Sequence, residues 1–238
     1  MDIDTLVSKY GDEFMDIVWK DLPDSQYGNL ESIYLYAYMR EYKPRCVFEL
    51  GTAINGRSSF IIHKAIEENG GGLHTMCDLP HVGEEALANL SKHFPVYNVW
   101  LLSGPIEQMA VHVDMSKIDF LFIDADHGEP FAEWYMDNFI PRLNDGVVIH
   151  IHDMPRSLYG NFYPKDFPNE FVSVMKRLGS GTVQMEEICF LDDWKKDPKL
   201  KKKHDDLNKK YPIIGKFGAK DLPYSSSAAY FKKIAGGR

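Results

Sequence analysis

Apolar residues at Ile3, Leu6, Val7, Phe14, Ile17 and Val18 recur at the spacing of one helix face. A second helix is expected from about Leu30 to Tyr42, with Leu30, Ile33, Tyr34, Ala37 and Tyr38 as its apolar stripe. Lys43-Pro44 stops it, because a proline disfavours helical backbone in the residue before it. Residues 1–43 therefore read as a helical cap, whose stripes must bury on a sheet or on another subunit of a homo-oligomer. From Cys46 the rhythm changes. Apolar runs of strand length (46–50, 73–77, 98–102, 118–123 and 147–151) alternate with helical patterns near 58–68, 84–93, 106–112 and 131–140. Such alternation predicts βαβ units, a parallel sheet covered on both faces, and right-handed crossovers. The expected fold class is α/β, an open doubly wound and mostly parallel sheet spanning 44–238 behind the cap.

After Asp153 the pattern loosens. Residues 154–168 carry prolines and the aromatics Tyr159, Phe162, Tyr163 and Phe167, and read as a long loop. A helix (169–178), a strand (183–191), a lysine-dense segment (195–210) and a last strand (228–234) follow. The 154–225 region is expected to border the substrate site, because it follows a strand's carboxyl end.

Composition narrows the classes. With 238 residues, 44% hydrophobic and 26% charged, the chain matches a soluble globular average, which excludes disorder as its main state. No apolar run approaches the roughly 18 residues of a membrane-spanning helix. The net charge of −8 disfavours a broad nucleic-acid-binding face. Cys46, Cys77 and Cys189 are odd in number and widely spaced, fitting neither a disulfide framework nor a zinc site. Met1-Asp-Ile-Asp lacks the basic-then-apolar order of a secretory signal. The expectation is a cytoplasmic protein with reduced thiols, partnering neither nucleic acid nor membrane.

In an open α/β sheet, ligands bind beyond the carboxyl ends of the strands. After the first strand, Glu49-Leu-Gly51-Thr-Ala-Ile-Asn55-Gly56-Arg-Ser58-Ser59 supplies two glycines for a sharp turn and a helix start with free N–H groups. It lacks the Gly-x-Gly-x-x-Gly of a dinucleotide site, and Glu49 suits a cationic ligand better than a pyrophosphate. Asp78, after the second strand, is placed to accept both hydroxyls of a ribose. Ser103-Gly104, after the third, lies where an adenine edge would pass. The fourth strand ends Asp124-Ala-Asp126-His127 and the fifth ends His150-Ile-His152-Asp153. Asp124 and Asp153 on neighbouring strands are placed to share one ion, with His152, Asp126 or His127 nearby. Oxygen-rich ligation favours magnesium, manganese or calcium over zinc. Asp126 also fits a helix cap, and His150, inside an apolar strand, fits a core histidine.

Residues 45–153 and the last strand resemble the class I S-adenosylmethionine-dependent methyltransferases. Asp124-x-x-His127, followed by a strand ending in Asp153, resembles their metal-dependent O-methyltransferases, particularly those acting on macrolide sugars. The resemblance implies S-adenosylmethionine as cofactor, with Glu49 and Gly51 near its methionine part, Asp78 on the ribose and Ser103 or Gly104 at the adenine. Asn55, Ser58, Ser59 and Asp124 complete the implied cofactor contacts. It further implies a divalent ion, Mg2+ or Mn2+, on Asp124 and Asp153, with His127 as base and a small hydroxyl-bearing acceptor such as a sugar. His152 stands where that pattern has an acid or another oxygen ligand, and is the remaining candidate for the metal. Two rival functions are a non-catalytic S-adenosylmethionine-binding scaffold and a nicotinamide-dependent sugar-nucleotide enzyme. The second would want the dinucleotide glycines, and none of the thirteen tyrosines has the lysine four places on that its short-chain members use.

Overall fold

The structure, a computed structural model, describes residues 3–23, 29–153, 170–191 and 228–235. Within these residues seven strands form one sheet: β1 (Cys46–Leu50), β2 (Leu73–Asp78), β3 (Val99–Ser103), β4 (Phe120–Ile123), β5 (Val148–His152), β6 (Met185–Leu191) and β7 (Ala228–Lys233). Their order is β3-β2-β1-β4-β5-β7-β6. Pairs from β3 through β5 are parallel, and β7 runs antiparallel to both β5 and β6. The doubly wound sheet read from the alternation is present, with its last strand in sequence reversed.

The chain winds outward from β1 to β3, then returns to lay β4 on the other side of β1. That reversal between β1 and β4 opens a crevice at their carboxyl ends. Register sets the level of each exit. Leu50 pairs with Ile123 and Cys77, Asp78 with Ser103, and Ile123 with Ile151. Gly51, Asp78, Ser103, Asp124 and His152 therefore leave the sheet along one edge.

Helices cover both faces: α1 (Ile3–Ile17), α2 (Asn29–Tyr42), α3 (Arg57–Glu68), α4 (Pro80–Leu90), α5 (Ile106–Met109), α6 (Glu129–Trp134) and α7 (Glu170–Ser180). Helix α4 starts at Pro80, four residues before its apolar pattern, since proline suits a first turn. The pattern at 131–140 is not one helix. Helix α6 ends at Trp134 and passes into a π-helical turn, Tyr135–Phe139, that turns Tyr135, Met136 and Phe139 all inward.

The cap is a layer of this fold. Leu6, Val7 and Phe14 of α1 share one core with Ile33 of α2, Phe60 of α3, Val47, Phe120 and Tyr230. Helix α2 is buried all round from Glu31 to Met39, because it lies between α1 and the sheet, where Tyr38 stacks on Tyr230 at 4.2 Å. The opposite face packs Phe48, Leu121 and Ile149 against Phe139 and Val174. Within β5, His150 is fully buried between Phe122 (4.6 Å) and Tyr230 (4.5 Å). Burial holds its pKa well below the usual histidine value, so the ring is a neutral core residue. Cys46 and Cys77 are free thiols. Among the described residues no helix is long and apolar enough to cross a membrane. The aromatic loop at 154–168 and the lysine-dense segment at 195–210 lie outside the described residues.

Candidate active site

Gly51 opens the site. Its N–H donates to the Cys77 carbonyl at 2.9 Å, its φ is +84°, and a Cβ there would lie 1.9 Å from the Asp124 carbonyl oxygen. Only glycine fits, on both counts. The Asp78 carboxylate then ties two strand ends together. One oxygen accepts the Thr52 N–H (2.7 Å) and hydroxyl (3.0 Å), and the other accepts the Leu79 N–H (2.7 Å). Gly104 follows β3, with its N–H on the Asp78 carbonyl at 2.9 Å, and Ser103 beside it is exposed. Asn55 is exposed at the tip of the first turn.

Glu49 sits behind this turn. It is fully buried, and its oxygens meet the hydroxyls of Ser58 (2.6 Å) and Ser59 (2.8 Å) and His74 Nε2 (3.0 Å). Those three partners clamp the first turn of α3 onto β1 and β2. The Ser58 and Ser59 hydroxyls thus point inward, while Gly51, Asp78, Ser103 and Gly104 share the open edge.

The other half of the edge is built on β4 and β5. The Asp124 N–H donates to Leu50 at 2.8 Å, which fixes this residue beside Gly51. His152, the last residue of β5, places Nδ1 2.9 Å from Asp124 Oδ1 and Nε2 3.1 Å from Glu31 Oε2. Asp153 Oδ1 stands 3.9 Å from the same Nε2, on a residue with left-handed backbone (φ 51°) that aspartate tolerates better than most. His127 Nε2 stands 3.8 Å from Asp124 Oδ1, and its Nδ1 lies 2.9 Å from Glu170 Oε2. Tyr135 donates its hydroxyl to the other Glu170 oxygen at 2.9 Å. One polar line results: Glu31, His152, Asp124, His127, Glu170, Tyr135. Asp126 stays local, accepting the Gly128 N–H at 2.9 Å just before α6.

The line polarises its members. Burial opposes charge on His152, yet Asp124 and Glu31 raise its pKa well above the ordinary histidine value. Burial lowers and Glu170 more than restores the His127 pKa, which ends above its ordinary value. Burial raises the Asp124 carboxyl, but His152 and His127 bring it below the usual aspartate value. Glu170 is pushed up by burial despite His127, and burial with Glu170 lifts the Tyr135 phenol well above its usual value.

Donor atoms of Asp124, His127 and His152 all lie within 4.8 Å of one another, as do those of Glu31, His152 and Asp153. A carboxylate oxygen and an imidazole nitrogen 2.9 Å apart match one edge of an octahedral coordination shell as well as a hydrogen bond, so the set fits a divalent ion. His152 meets Asp124 through Nδ1 and Asp153 through Nε2, opposite edges of one ring, so the two aspartates expected to share an ion stand on different sides of it.

Sequence reasoning did not find Glu31, Glu170 or Tyr135. The two acids look like ordinary first-turn glutamates of surface helices, and Tyr135 like one aromatic among several.

Residues 48–154, which hold this edge from β1 to the end of β5, match a family described as a methyltransferase domain. The chain's sheet and flanking helices have the Rossmann-like fold seen in solved methyltransferase structures. An O-methyltransferase from Bacillus cereus in complex with SAH shares the fold with a TM-score of 0.59 at 13% identity, over 99% of this chain and 93% of that one. The O-methyltransferase TomG from Streptomyces achromogenes, involved in tomaymycin synthesis and solved with SAM, gives 0.57 at 13% identity, over 97% and 90%. The Podospora anserina methyltransferase PaMTH1, bound to SAH, gives 0.52 at 17% identity, over 98% and 88%. At these identities the likeness to the methyltransferase structures speaks for the fold alone. No curated protein sequence matches the chain.

Proposed function

We propose that the protein transfers the methyl group of S-adenosylmethionine to a hydroxyl oxygen of a small acceptor, such as a sugar or another natural product. The cofactor lies along the edge formed by Gly51, Asp78, Ser103 and Gly104, with Asn55 and the start of α3 closing the turn. Glu49 acts from behind, holding Ser58 and Ser59 so that the turn keeps its shape. Asp124 borders both halves of the site, because its carbonyl packs on Gly51 and its carboxylate faces His152.

Methyl transfer from a sulfonium is an in-line displacement with a neutral sulfide leaving, so no acid is needed at sulfur. What the protein must supply is position and a deprotonated hydroxyl. His127 is the base: its ring is half-buried, and its Nε2 stands 3.8 Å from Asp124, beyond hydrogen-bond distance. Asp124 and His152 Nδ1 are the residues that would hold a divalent ion, with Asp153 at the ring's other nitrogen, and the nitrogen ligand leans towards Mn2+ over Mg2+. Such an ion, when bound, supplies positive charge that lowers the pKa of the acceptor hydroxyl. The net charge of −8 supports a small acceptor over a nucleic acid.

The observation that carries this reading is the convergence of Asp124, His127 and His152 beside Gly51 at the switch point of the sheet. The test is methyl transfer from labelled S-adenosylmethionine to a panel of sugar and phenol acceptors. A chelator is expected to abolish turnover and leave cofactor binding intact, and Mn2+ or Mg2+ to restore it. His127→Ala is expected to bind cofactor normally and lose about 10²–10⁴-fold in turnover. Full activity after chelation would remove the ion from the scheme, and full activity of His127→Ala would remove the base.

A further inference from the structure

Glu170 has a setting that packing does not explain. It is the first residue of α7 and is fully buried, where a carboxylate is costly unless every oxygen is engaged. Both oxygens are engaged: Tyr135 donates to Oε1 at 2.9 Å, and His127 Nδ1 meets Oε2 at 2.9 Å. The Glu170 main chain grips the same histidine, its N–H donating to the His127 carbonyl at 3.1 Å. Backbone and side chain together fasten one residue to another 43 positions away. Tyr135 stands at the junction where α6 passes into the π-helical turn.

A carboxylate oxygen accepts, so the shared proton lies on His127 Nδ1. The lone pair is then on Nε2, the nitrogen that faces Asp124 at 3.8 Å. We propose that Glu170 is a positioning residue that fixes the ring plane and the Nδ1–H tautomer of His127, with Tyr135 holding Glu170 in place. This rests on the reading of His127 as the base. In the step it serves, the acceptor's O–H proton passes to Nε2, the oxygen forms a bond to the methyl carbon, and the carbon–sulfur bond breaks with its electron pair on sulfur. The Nδ1 proton stays on the ring, against Glu170, throughout.

The experiment uses the full chain and two readouts. Nitrogen-15 NMR of the histidine side chains, assigned with His127→Ala and recorded where the rings are neutral, is expected to show His127 as the Nδ1–H tautomer. Glu170→Gln, whose amide N–H can donate to Nδ1, is expected to move that population towards Nε2–H. The same variant is expected to lose about 10²–10⁴-fold in kcat, the scale on which a wrong-tautomer histidine fails in a triad, with acceptor KM and cofactor affinity within about twofold. A wild-type spectrum showing the Nε2–H tautomer would overturn the proposal, and it decides the matter even if Glu170→Gln does not fold. Wild-type kcat in folded Glu170→Gln, with His127→Ala inactive, would overturn it and leave the base in place. Full activity of His127→Ala would instead sink the base reading.

Discussion

Gly51 joins the two halves of the site by lacking a side chain. The first turn reaches the Asp124 backbone only because nothing stands between them. Gly51→Ala combines a left-handed backbone with a clash against main chain, so it is expected to cost more than the ~1–2 kcal/mol of the conformation alone. Thermal denaturation should show a lowered midpoint, and calorimetry should show cofactor binding lost with it; unchanged binding would mean that the turn relaxes freely. A second residue-scale effect belongs to His63 on α3. It is buried against His74 at 6.1 Å and Phe94 at 5.1 Å, and burial, with His74 and Lys64 adding to it against a bond to the Pro95 backbone, lowers its pKa to about 4. The unfolded chain binds this proton near pH 6.5 and the folded chain only near 4, so the contribution is full above 6.5 and lost as pH falls towards 4. Over that window wild type is expected to lose about 3 kcal/mol more than His63→Leu, from ~1.4 kcal/mol for each of about 2.5 units. Urea unfolding at pH 7.5 and pH 4 reads the difference directly, and parallel loss in both proteins would refute it.

At the scale of elements, α2 departs most from its sequence pattern. A single stripe was legible, yet Ser32, Leu35, Tyr36 and Met39 are also fully buried. The helix is a middle layer, and a third layer above it leaves no local trace in its own period. Helix α2 also carries Glu31 to His152, so the cap is part of the site. Removing residues 1–43 is therefore expected to abolish cooperative unfolding, as followed by circular dichroism, because it uncovers Tyr230 and Phe120 along with the sheet face. A soluble truncated chain with a sharp transition and full methyl transfer would show the cap to be dispensable. The π-helical turn at Tyr135–Phe139 is the other departure. Tyr135, which meets Glu170, opens that turn, and a wide turn of this kind has no signature in apolar spacing.

For the whole molecule, the decisive feature is that all strands from β1 to β5 end on one edge, where a ligand can touch several of them at once. A ligand that bridges them binds the folded chain and not the unfolded one. S-Adenosylmethionine at about 100 times its Kd is expected to add about 2.7 kcal/mol of stability. For a chain of this length that is a rise in Tm of about 5–10 °C, whereas NAD at the same concentration is expected to add nothing. A shift with NAD and none with S-adenosylmethionine would reverse the cofactor assignment.

The sequence by itself determined the strands, the parallel sheet and the edge on which Gly51, Asp78, Asp124, His127 and Asp153 meet. Those features are local: a strand-length apolar run, a glycine after it, an acid at its end. The tertiary structure alone decided who stands beside whom on that edge. Glu31 reaches His152 across 121 positions, Glu170 reaches His127 across 43, and Tyr135 reaches Glu170 across 35. Such contacts have no period and no fixed spacing, because they depend on how α2 and α7 are laid against the sheet. The same holds for His152, whose place between Asp124, Glu31 and Asp153 follows from the pairing of β5 with β4 and from the cap above it, not from its neighbours in the chain.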